Sequence, residues 1–193
     1  MKLKEEGQIQ IHTENIFPII KKAVYSDHEI FLRELISNSV DAINKRRMAA
    51  IAGDCIEGDD GKVTINIDRE NKCIKISDNG IGMTSDEVKK YINQVAFSSA
   101  EEFLEKYKNE NNAIIGHFGL GFYSSFMVAK NVEIITKSAK ANNKSIRWSC
   151  DGSPRFSLDE YEKEDVGTDV ILYLMEEEIE YLEPTRIKNL VQK

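Results

Sequence analysis

The sequence feature that most constrains the fold is a series of four strand-like segments joined by short connections that contain turn residues. The segments "VEIITKS", "SIRWSCD", "RFSLD" and "TDVILYL" follow one another between Val132 and Leu174. Antiparallel strands can be joined by short turns, whereas parallel neighbours need long crossover connections that are usually helical. These four segments therefore predict a mostly antiparallel sheet.

Helical patterns lie elsewhere in the chain, so helices and strands are partly segregated. A long amphipathic pattern runs from about Asp27 to Ala50, and a shorter one from Ser85 to Val95 begins with a capping box of Thr84 and Glu87. Between them, "KVTINIDR" and "CIKISD" alternate and are separated by "ENK", which predicts a β-hairpin. This order favours an α+β fold: a two-layer α/β sandwich whose mostly antiparallel sheet is covered on one face by helices.

Composition restricts the partners and the compartment. The chain has 193 residues, which fits one sizeable domain or two small ones. Its formal net charge is −7, so we do not expect it to bind nucleic acid by neutralising phosphates. No apolar stretch has the length of a membrane span. The three cysteines are widely spaced and form no CxxC pair, which argues against a disulfide framework. We therefore expect a cytoplasmic protein that binds neither nucleic acid nor membranes.

The segment "RELISNSVDAINK", from Arg33 to Lys45, places two kinds of side chain on opposite sides of the long helix. At 100° per residue, one narrow sector contains the polar residues Glu34, Asn38, Asp41 and Lys45. The opposite side contains the apolar residues Leu32, Ile36, Val40 and Ile43. Such a pattern is common on surface helices. Asn and Asp are poor helix formers, however, because their short side chains compete with the backbone, so a functional role for the polar line stays open beside the surface interpretation.

Two glycine-rich segments each precede a predicted helix. The first, "SDNGIGMT", contains Asp78, and its simplest interpretation is a turn between strand and helix. The second, "IGHFGLGF", opens an apolar helix whose bare backbone N–H groups could hold phosphate. Neither completes a G-x-G-x-x-G fingerprint, and no Walker A loop is present. A further short motif, "GTDV", leads the last strand from Gly167 to Val170.

Together and in this order, these segments resemble one known family. Over nearly its whole length the chain is similar to the nucleotide-binding domain of the ninety-kilodalton heat-shock chaperone family, bacterial type. The resemblance is strongest in "YSDHEIFLRELISNSVDA", "DNGIGMT", "IGHFGLGFYSSFMVA" and "EYLEPTRIKNLV". It extends to the ATPase superfamily shared with DNA gyrase B subunits, sensor histidine kinases and MutL. It implies the Bergerat ATP-binding fold, with an ATP pocket between helices and sheet under a mobile lid.

The resemblance also implies residue roles. Glu34 resembles the catalytic carboxylate that orients and deprotonates the attacking water. Asn38 resembles the ligand of Mg²⁺, which it would hold together with the ATP phosphates. Asp78 resembles the residue that reads adenine, and Thr168 the hydroxyl that supports it. The implied ATP- or ADP-binding residues are Asn38, Asp41, Ala42, Lys45, Asp78, Gly82, Met83, Gly119, Gly121, Phe122 and Thr168.

The remaining roles in this set concern the walls of the pocket. By resemblance, Gly82 lets the backbone approach the base, Met83 packs on the adenine ring and Ala42 packs beside it. Asp41 and Lys45 line the rim.

By the same resemblance, Gly119, Gly121 and Phe122 start the helix that faces the phosphates. The lid is expected at about residues 92–116. In this region the chain has "VAFSSAE", where the family commonly has Ala-Lys-Ser-Gly, and Phe97 replaces the lysine. No residue is therefore assigned the role of the family's lid lysine.

The implied function is that of an ATP-binding and slowly ATP-hydrolysing N-terminal domain of a molecular chaperone. Mg–ATP binding and lid closure would drive a conformational cycle that assists the folding of client proteins. In this family the arginine that contacts the γ-phosphate comes from a following middle domain. We therefore expect weak turnover. The family's usual dimerisation domain is also not among these residues, so we expect a single N-terminal nucleotide-binding domain, residues 1–193, that is a mainly monomeric fragment of a longer protein. That longer protein would form a homodimer and bind unfolded or partly folded clients.

Other functions remain open from the sequence. The chain could be a nucleotide-gated binding module in which turnover is incidental. A histidine kinase would need a phosphoacceptor His on a separate helix, whereas His28 lies beside the Glu34 motif. A gyrase-type subunit would act on DNA, which an acidic chain disfavours. An α+β domain with accidental motifs is the remaining alternative.

Overall fold

The computed structural model describes residues 27–55, 58–94, 120–140 and 144–193. Apart from its first three residues, the expected lid lies outside the described residues, and so does Gly119. The described elements, in chain order, are α1 (Ile30–Ile51), β1 (Val63–Asp68), β2 (Cys73–Asp78), α2 (Ser85–Tyr91), the 3₁₀ helix η1 (Gly121–Met127), β3 (Ala129–Lys137), β4 (Ile146–Cys150), β5 (Ser157–Glu160), β6 (Gly167–Leu174), the 3₁₀ helix η2 (Glu176–Leu182) and α3 (Pro184–Gln192). Among these helices, none is long and apolar enough to cross a membrane.

The strands of the described residues form one antiparallel sheet in the order β1-β2-β6-β3-β4-β5. The predicted hairpin is present, with Val63 opposite Asp78 and Asp68 opposite Cys73. Strand β6 lies between β2 and β3 and is antiparallel to both. The predicted α+β fold with an antiparallel sheet is thus confirmed. The position of β6 brings the end of β2 against the start of β6, where Asp78 is opposite Thr168.

The sheet and helices α1, η1, η2 and α3 all contribute residues to the hydrophobic core. On the sheet, alternate residues of β3 and β6 are buried, as expected for strands with one covered face. On the helical side, Phe31 of α1 packs edge-on against Tyr181 of η2, with ring centroids 5.1 Å apart. Cys73 and Cys150 are buried free thiols.

Helix α1 begins three residues later than predicted, at Ile30 rather than Asp27. The Asp27 carboxylate instead accepts a hydrogen bond of 3.0 Å from the backbone N–H of Glu29, which holds a turn before the helix. The helix runs for 22 residues to Ile51. Gly53 follows it with a φ of 80°, consistent with the tendency of helices to end at a left-handed glycine.

The surface interpretation of the polar line on α1 is wrong around its middle. Leu32 and Ile43, on the predicted apolar side, are buried as expected. Asp41, in the polar line, is also buried at 5% exposed, and so is Ser39 at 4%. The reason is that the "NGIGM" segment lies across the helix. The backbone N–H of Ile81 donates a 2.9 Å hydrogen bond to the Ala42 carbonyl.

Two predicted helices are shorter or tighter than their patterns suggest. The capping box of Thr84 and Glu87 is present in both directions, but α2 ends at Tyr91 rather than Val95. The apolar segment after the second glycine motif forms a 3₁₀ helix from Gly121 to Met127 and then enters β3. Pairing of Ala129 with Leu174 in β6 draws the chain into the sheet at this point.

Candidate functional site

Asp78 lies at the corner where β2 ends and the glycine loop begins. Its Oδ1 accepts a 2.8 Å hydrogen bond from the backbone N–H of Gly80. Burial is the largest influence on its carboxyl group and raises the pKa to about 6, against hydrogen bonds from Gly80, the Ser39 side chain and the Thr168 backbone that lower it. The corner thus holds a desolvated carboxyl group whose Oδ1 is held by a backbone hydrogen bond, a kind of group that is enriched at functional sites.

The hydroxyl group of Thr136, on β3, connects three parts of this corner. It accepts a 2.9 Å hydrogen bond from the backbone N–H of Met83. Its oxygen is 3.2 Å from the Gly167 carbonyl oxygen and 3.0 Å from Thr168 Oγ1. Thr136 is fully buried and Thr168 is 7% exposed. The hydroxyl therefore joins the glycine loop to the start of β6.

Gly82 is required by close approach of two backbone segments. A Cβ at this position would lie 2.0 Å from the Lys137 carbonyl oxygen, and the residue has a φ of 62°, a conformation that side chains with a Cβ adopt at a cost. Gly80 is also tight, because a Cβ there would lie 2.6 Å from the Ala42 side chain. The loop is thereby held between α1 and the end of β3, and Ala139 donates a further 2.8 Å hydrogen bond to the Ile81 carbonyl.

The rim of this corner is formed by α1. Ala42 touches the loop through its carbonyl, and Asp41 is buried. Lys45, one turn further on, is half-buried. Its pKa is lowered by desolvation, while the charges of Asp41 and Glu87 act in the opposite direction. The rim therefore presents a partly desolvated ammonium group that is influenced by the charges of two carboxylates.

On α1, Glu34 lies two turns before Ala42 and Asn38 lies one turn before it, so the two share a helix face at a spacing of four residues. Glu34 is half-buried and Asn38 is exposed. The first residue of η1, Gly121, lies against Glu34: a Cβ on Gly121 would be 2.5 Å from Glu34 Oε2. The structure therefore brings Gly121, the last glycine of the second motif, against the Glu34 carboxylate.

The donor set at Asn38 suits a metal ion that is held mainly by phosphate. Within the described ranges, no group of three or more His, Cys, Asp or Glu side chains could hold a metal by itself. Mg²⁺ commonly takes one or two protein oxygens and completes its shell with phosphate oxygens and water. The exposed amide oxygen of Asn38 fits this use.

Phe122 differs from the other expected site residues. Its side chain is buried in an aromatic group, edge-on to Tyr123, Phe126 and Trp148 at centroid distances of 5.6, 6.2 and 5.6 Å. A nucleotide contact by Phe122 would therefore come from its backbone.

The first described residues of the expected lid are hydrogen-bonded to two members of this aromatic group, Tyr123 and Trp148. The Tyr123 hydroxyl donates to the Ile92 carbonyl. Trp148 Nε1 donates a 2.9 Å hydrogen bond to Asn93 Oδ1. The segment that leads into the lid is therefore anchored to residues that follow Gly121.

Ser39 and Thr136 were not singled out from the sequence, although both contact the Asp78 corner. For Thr136 a signal exists: Val132, Ile134 and Thr136 alternate along β3 and all are buried. A hydroxyl group on the buried face of a strand needs a hydrogen-bond partner. For Ser39 the helix pattern carries no comparable signal, because its burial depends on the loop that crosses α1.

Comparison with known families assigns the chain to a class of protein. Residues 25–168 match the family described as histidine kinase-, DNA gyrase B-, and HSP90-like ATPase. Because the match covers most of the chain, the chain belongs to this ATPase family and is an ATP-binding domain. Its antiparallel sheet with packed helices agrees with the Bergerat fold implied by the sequence.

Individual relatives narrow the resemblance to bacterial chaperones. The chain is 57% identical to "Chaperone protein htpG" of Bacteroides fragilis (strain 638R), over 98% of the chain and 28% of the relative. It is 50% identical to "Chaperone protein HtpG" of Porphyromonas gingivalis (strain ATCC BAA-308 / W83), over 99% of the chain and 28% of the relative. It is 40% identical to "Chaperone protein HtpG" of Buchnera aphidicola subsp. Acyrthosiphon pisum (strain APS), over 98% of the chain and 31% of the relative. The predicted resemblance is thus confirmed, and the chain spans less than a third of the length of these relatives.

Proposed function

We propose that the chain is the N-terminal domain of a bacterial-type chaperone of this family, and that it binds ATP and ADP with Mg²⁺ and hydrolyses ATP slowly. The observation that carries this proposal is the arrangement along α1. Ala42 lies at the Asp78 corner, and Glu34 lies against Gly121. Eight residues of helix separate them by about 12 Å, which leaves room for a ribose and a phosphate chain between the two ends.

At the Asp78 corner the carboxylate accepts a hydrogen bond from the amino group of adenine. The backbone at Gly82 can approach the base because the residue has no Cβ. Met83 packs on the ring, since its thioether side chain adapts to a flat apolar surface. Ala42 limits the pocket from the side of α1, while Asp41 and Lys45 remain at the rim.

At the other end, Glu34 orients a water molecule and accepts its proton as the water attacks the γ-phosphate. A general base of this kind contributes about 10²- to 10⁴-fold to a rate. Asn38 would hold a Mg²⁺ ion, which neutralises charge on the phosphates when bound. Backbone N–H groups at the start of η1 can donate to the phosphate oxygens. The family resemblance adds an arginine from a following domain, so turnover by this chain alone is slow.

The chaperone relatives support a wider role, which rests on similarity to proteins that are more than three times as long. In this role, nucleotide binding closes the lid and drives a cycle that assists unfolded or partly folded client proteins. The full-length protein acts as a homodimer in the cytoplasm, and the present chain is mainly monomeric.

Calorimetric titration with ADP, with and without Mg²⁺, tests the nucleotide site directly. We expect saturable binding that strengthens with Mg²⁺. The variant Asp78→Asn should bind at least about 100-fold more weakly, because the amide presents a donor to the adenine amino group and loses a charged acceptor. Asp86→Asn, which changes the same group on the exposed start of α2, is the matched control.

Absence of binding by the folded wild-type chain at millimolar ADP would contradict the proposal. The chain would then act as an interaction module that keeps the motifs only as a scaffold. If Asp78→Asn and Asp86→Asn bound ADP equally well, the base would lie elsewhere in the molecule.

A further inference from the structure

We infer that Thr136 makes the Asp78 corner selective for a base with an amino group, by orienting the hydroxyl of Thr168 so that it can only accept hydrogen bonds. The inference rests on the proposed nucleotide site and names a residue that determines its specificity. Thr136 is fully buried, so it cannot touch a nucleotide itself. It is a positioning residue that acts through Thr168.

The three contacts of the Thr136 oxygen determine which atom donates in each. The Met83 N–H can only donate, at 2.9 Å, and the Gly167 carbonyl can only accept, at 3.2 Å. Thr168 Oγ1, at 3.0 Å, can do either. A hydroxyl group has one proton and two lone pairs. Thr136 therefore accepts from Met83 and donates to Gly167, which leaves one lone pair for a proton from Thr168.

The opposite assignment is unfavourable. If Thr136 donated to Thr168 instead, its oxygen and the Gly167 carbonyl would face each other at 3.2 Å without a proton between them. In a fully buried position such an unpaired contact is costly, because no water can replace the missing donor. With Thr168 as donor, each of the three contacts contains one proton.

The consequence for the pocket follows from the register of the sheet. Thr168 lies directly opposite Asp78, and its proton is used by Thr136. Its remaining lone pairs lie beside a carboxyl group that is itself an acceptor when ionised. The corner therefore matches the amino group at position 6 of adenine, directly or through water, and opposes the carbonyl group at the same position of guanine.

The variant Thr136→Val tests this assignment, since valine has nearly the same shape but no hydroxyl group. Thr168 would then be free to donate to the ligand. We expect the ratio of ADP affinity to GDP affinity to fall about tenfold, measured by calorimetry at pH 8, where Asp78 is ionised. Thr136→Ser keeps the hydroxyl and should keep the ratio within about twofold of the wild type. Thr64→Val, on the edge strand β1, is the control for replacing a strand threonine.

A purely structural role for Thr136 makes a different prediction. Loss of the Met83 hydrogen bond alone would weaken ADP and GDP equally and leave their ratio unchanged, which would overturn the inference. Thermal unfolding of each variant checks that it is folded. If Thr136→Val does not fold, Thr136→Ala replaces it, with the same expected fall in the ratio of ADP affinity to GDP affinity. A wild-type chain that binds ADP but shows no change of ratio in these variants contradicts the inference alone. A wild-type chain that binds no ADP contradicts the proposed function as well.

Discussion

The two ends of the proposed site are built in different ways. At the base end, backbone lies against backbone: a Cβ on Gly82 would be 2.0 Å from the Lys137 carbonyl oxygen, and one on Gly167 would be 2.1 Å from that of Asp78. At the phosphate end, a Cβ on Gly121 would meet the tip of the Glu34 side chain, at 2.5 Å. Backbone positions are determined by the sheet, whereas a carboxylate tip can rotate.

This difference suggests a division of labour between the ends. At the base end, Gly80, Gly82, Thr136 and Thr168 are buried and backbone contacts hold the loop in place, an arrangement that lowers the entropy cost of binding. The phosphate end keeps an exposed Asn38 and a Glu34 side chain that is 29% exposed, so it can adjust to phosphates and to water. Four predictions test this division, from the largest expected effect to the smallest.

The largest effect is expected for Glu34→Gln. Removing the general base should lower single-turnover ATP hydrolysis by about 100-fold or more, while the dissociation constant for ADP stays within about twofold. The amide keeps the shape of the side chain and loses its ability to take a proton. Glu70→Gln, an exposed residue after β1, is the matched control. Equal loss of binding and hydrolysis would mean that Glu34 holds the nucleotide rather than the water.

Alanine substitutions of the glycines at the two ends should affect different properties, stability at one end and hydrolysis at the other. Gly82→Ala should lower the free energy of unfolding by at least about 3 kcal/mol, since it combines a left-handed φ with a backbone clash. Gly121→Ala should cost less than about 1 kcal/mol in stability and instead slow hydrolysis, because its Cβ displaces the Glu34 tip. Chemical denaturation and single-turnover rates measure the two effects.

Gly53→Ala separates the two causes at Gly82. Gly53 also has a positive φ, of 80°, but nothing lies within 4 Å of its would-be Cβ. It should therefore show only the conformational cost of about 1–2 kcal/mol. If Gly82→Ala were no more destabilising than Gly53→Ala, the base end would be less rigid than the contacts indicate.

A smaller effect is expected for Asn38→Ala. The gain in ADP affinity on adding Mg²⁺ should largely disappear, about tenfold in affinity, while binding without Mg²⁺ is unchanged. Calorimetry with Mg²⁺ or with a chelator distinguishes the two conditions. Asn66→Ala, on the exposed side of β1, should behave as the wild type. Loss of affinity in both conditions would assign Asn38 a direct contact with the nucleotide.

The last prediction concerns pH and the base end alone. Because the pKa of Asp78 is raised to about 6, the carboxyl group gains a proton between pH 7 and pH 5 and stops accepting from adenine. ADP affinity should therefore fall by up to about tenfold across this window. Asp78→Asn should remove most of this pH dependence.

Protein stability should change in the opposite direction over the same window. The folded pKa lies above the unfolded value of 3.8, so the folded state binds more protons between these values and the contribution of Asp78 to stability rises as pH falls. Denaturation of the wild type and of Asp78→Asn at pH 7 and pH 5 measures the difference. The free energy of unfolding of the wild type, relative to that of Asp78→Asn, should be higher at pH 5 than at pH 7. No such increase would contradict the raised pKa.

Much of the fold follows from local sequence patterns. The hairpin and the capping box at Thr84 were predicted and are present. These features depend on hydrogen bonds and side-chain spacing within a few residues, which a single sequence displays. The element ends were predicted less well, as at Ile30 and Tyr91, because tertiary contacts decide where a helix stops.

The candidate site was predicted from motifs rather than from local physics. Asp78, Gly82 and Thr168 do come together at one corner, and Glu34 meets Gly121. Their individual roles remain predictions until the variants are measured.

What the sequence by itself determined is the set of elements and the family, because alternation, helical periodicity, caps and glycine motifs are local properties of the chain. Only the tertiary structure decided which of those elements lie next to each other. Strand β6 lies between β2 and β3, and this order sets Thr168 beside both Asp78 and Thr136. Pairing between strands far apart in the chain depends on which faces pack together in the core, and that information is distributed over the whole sequence rather than contained in any one segment.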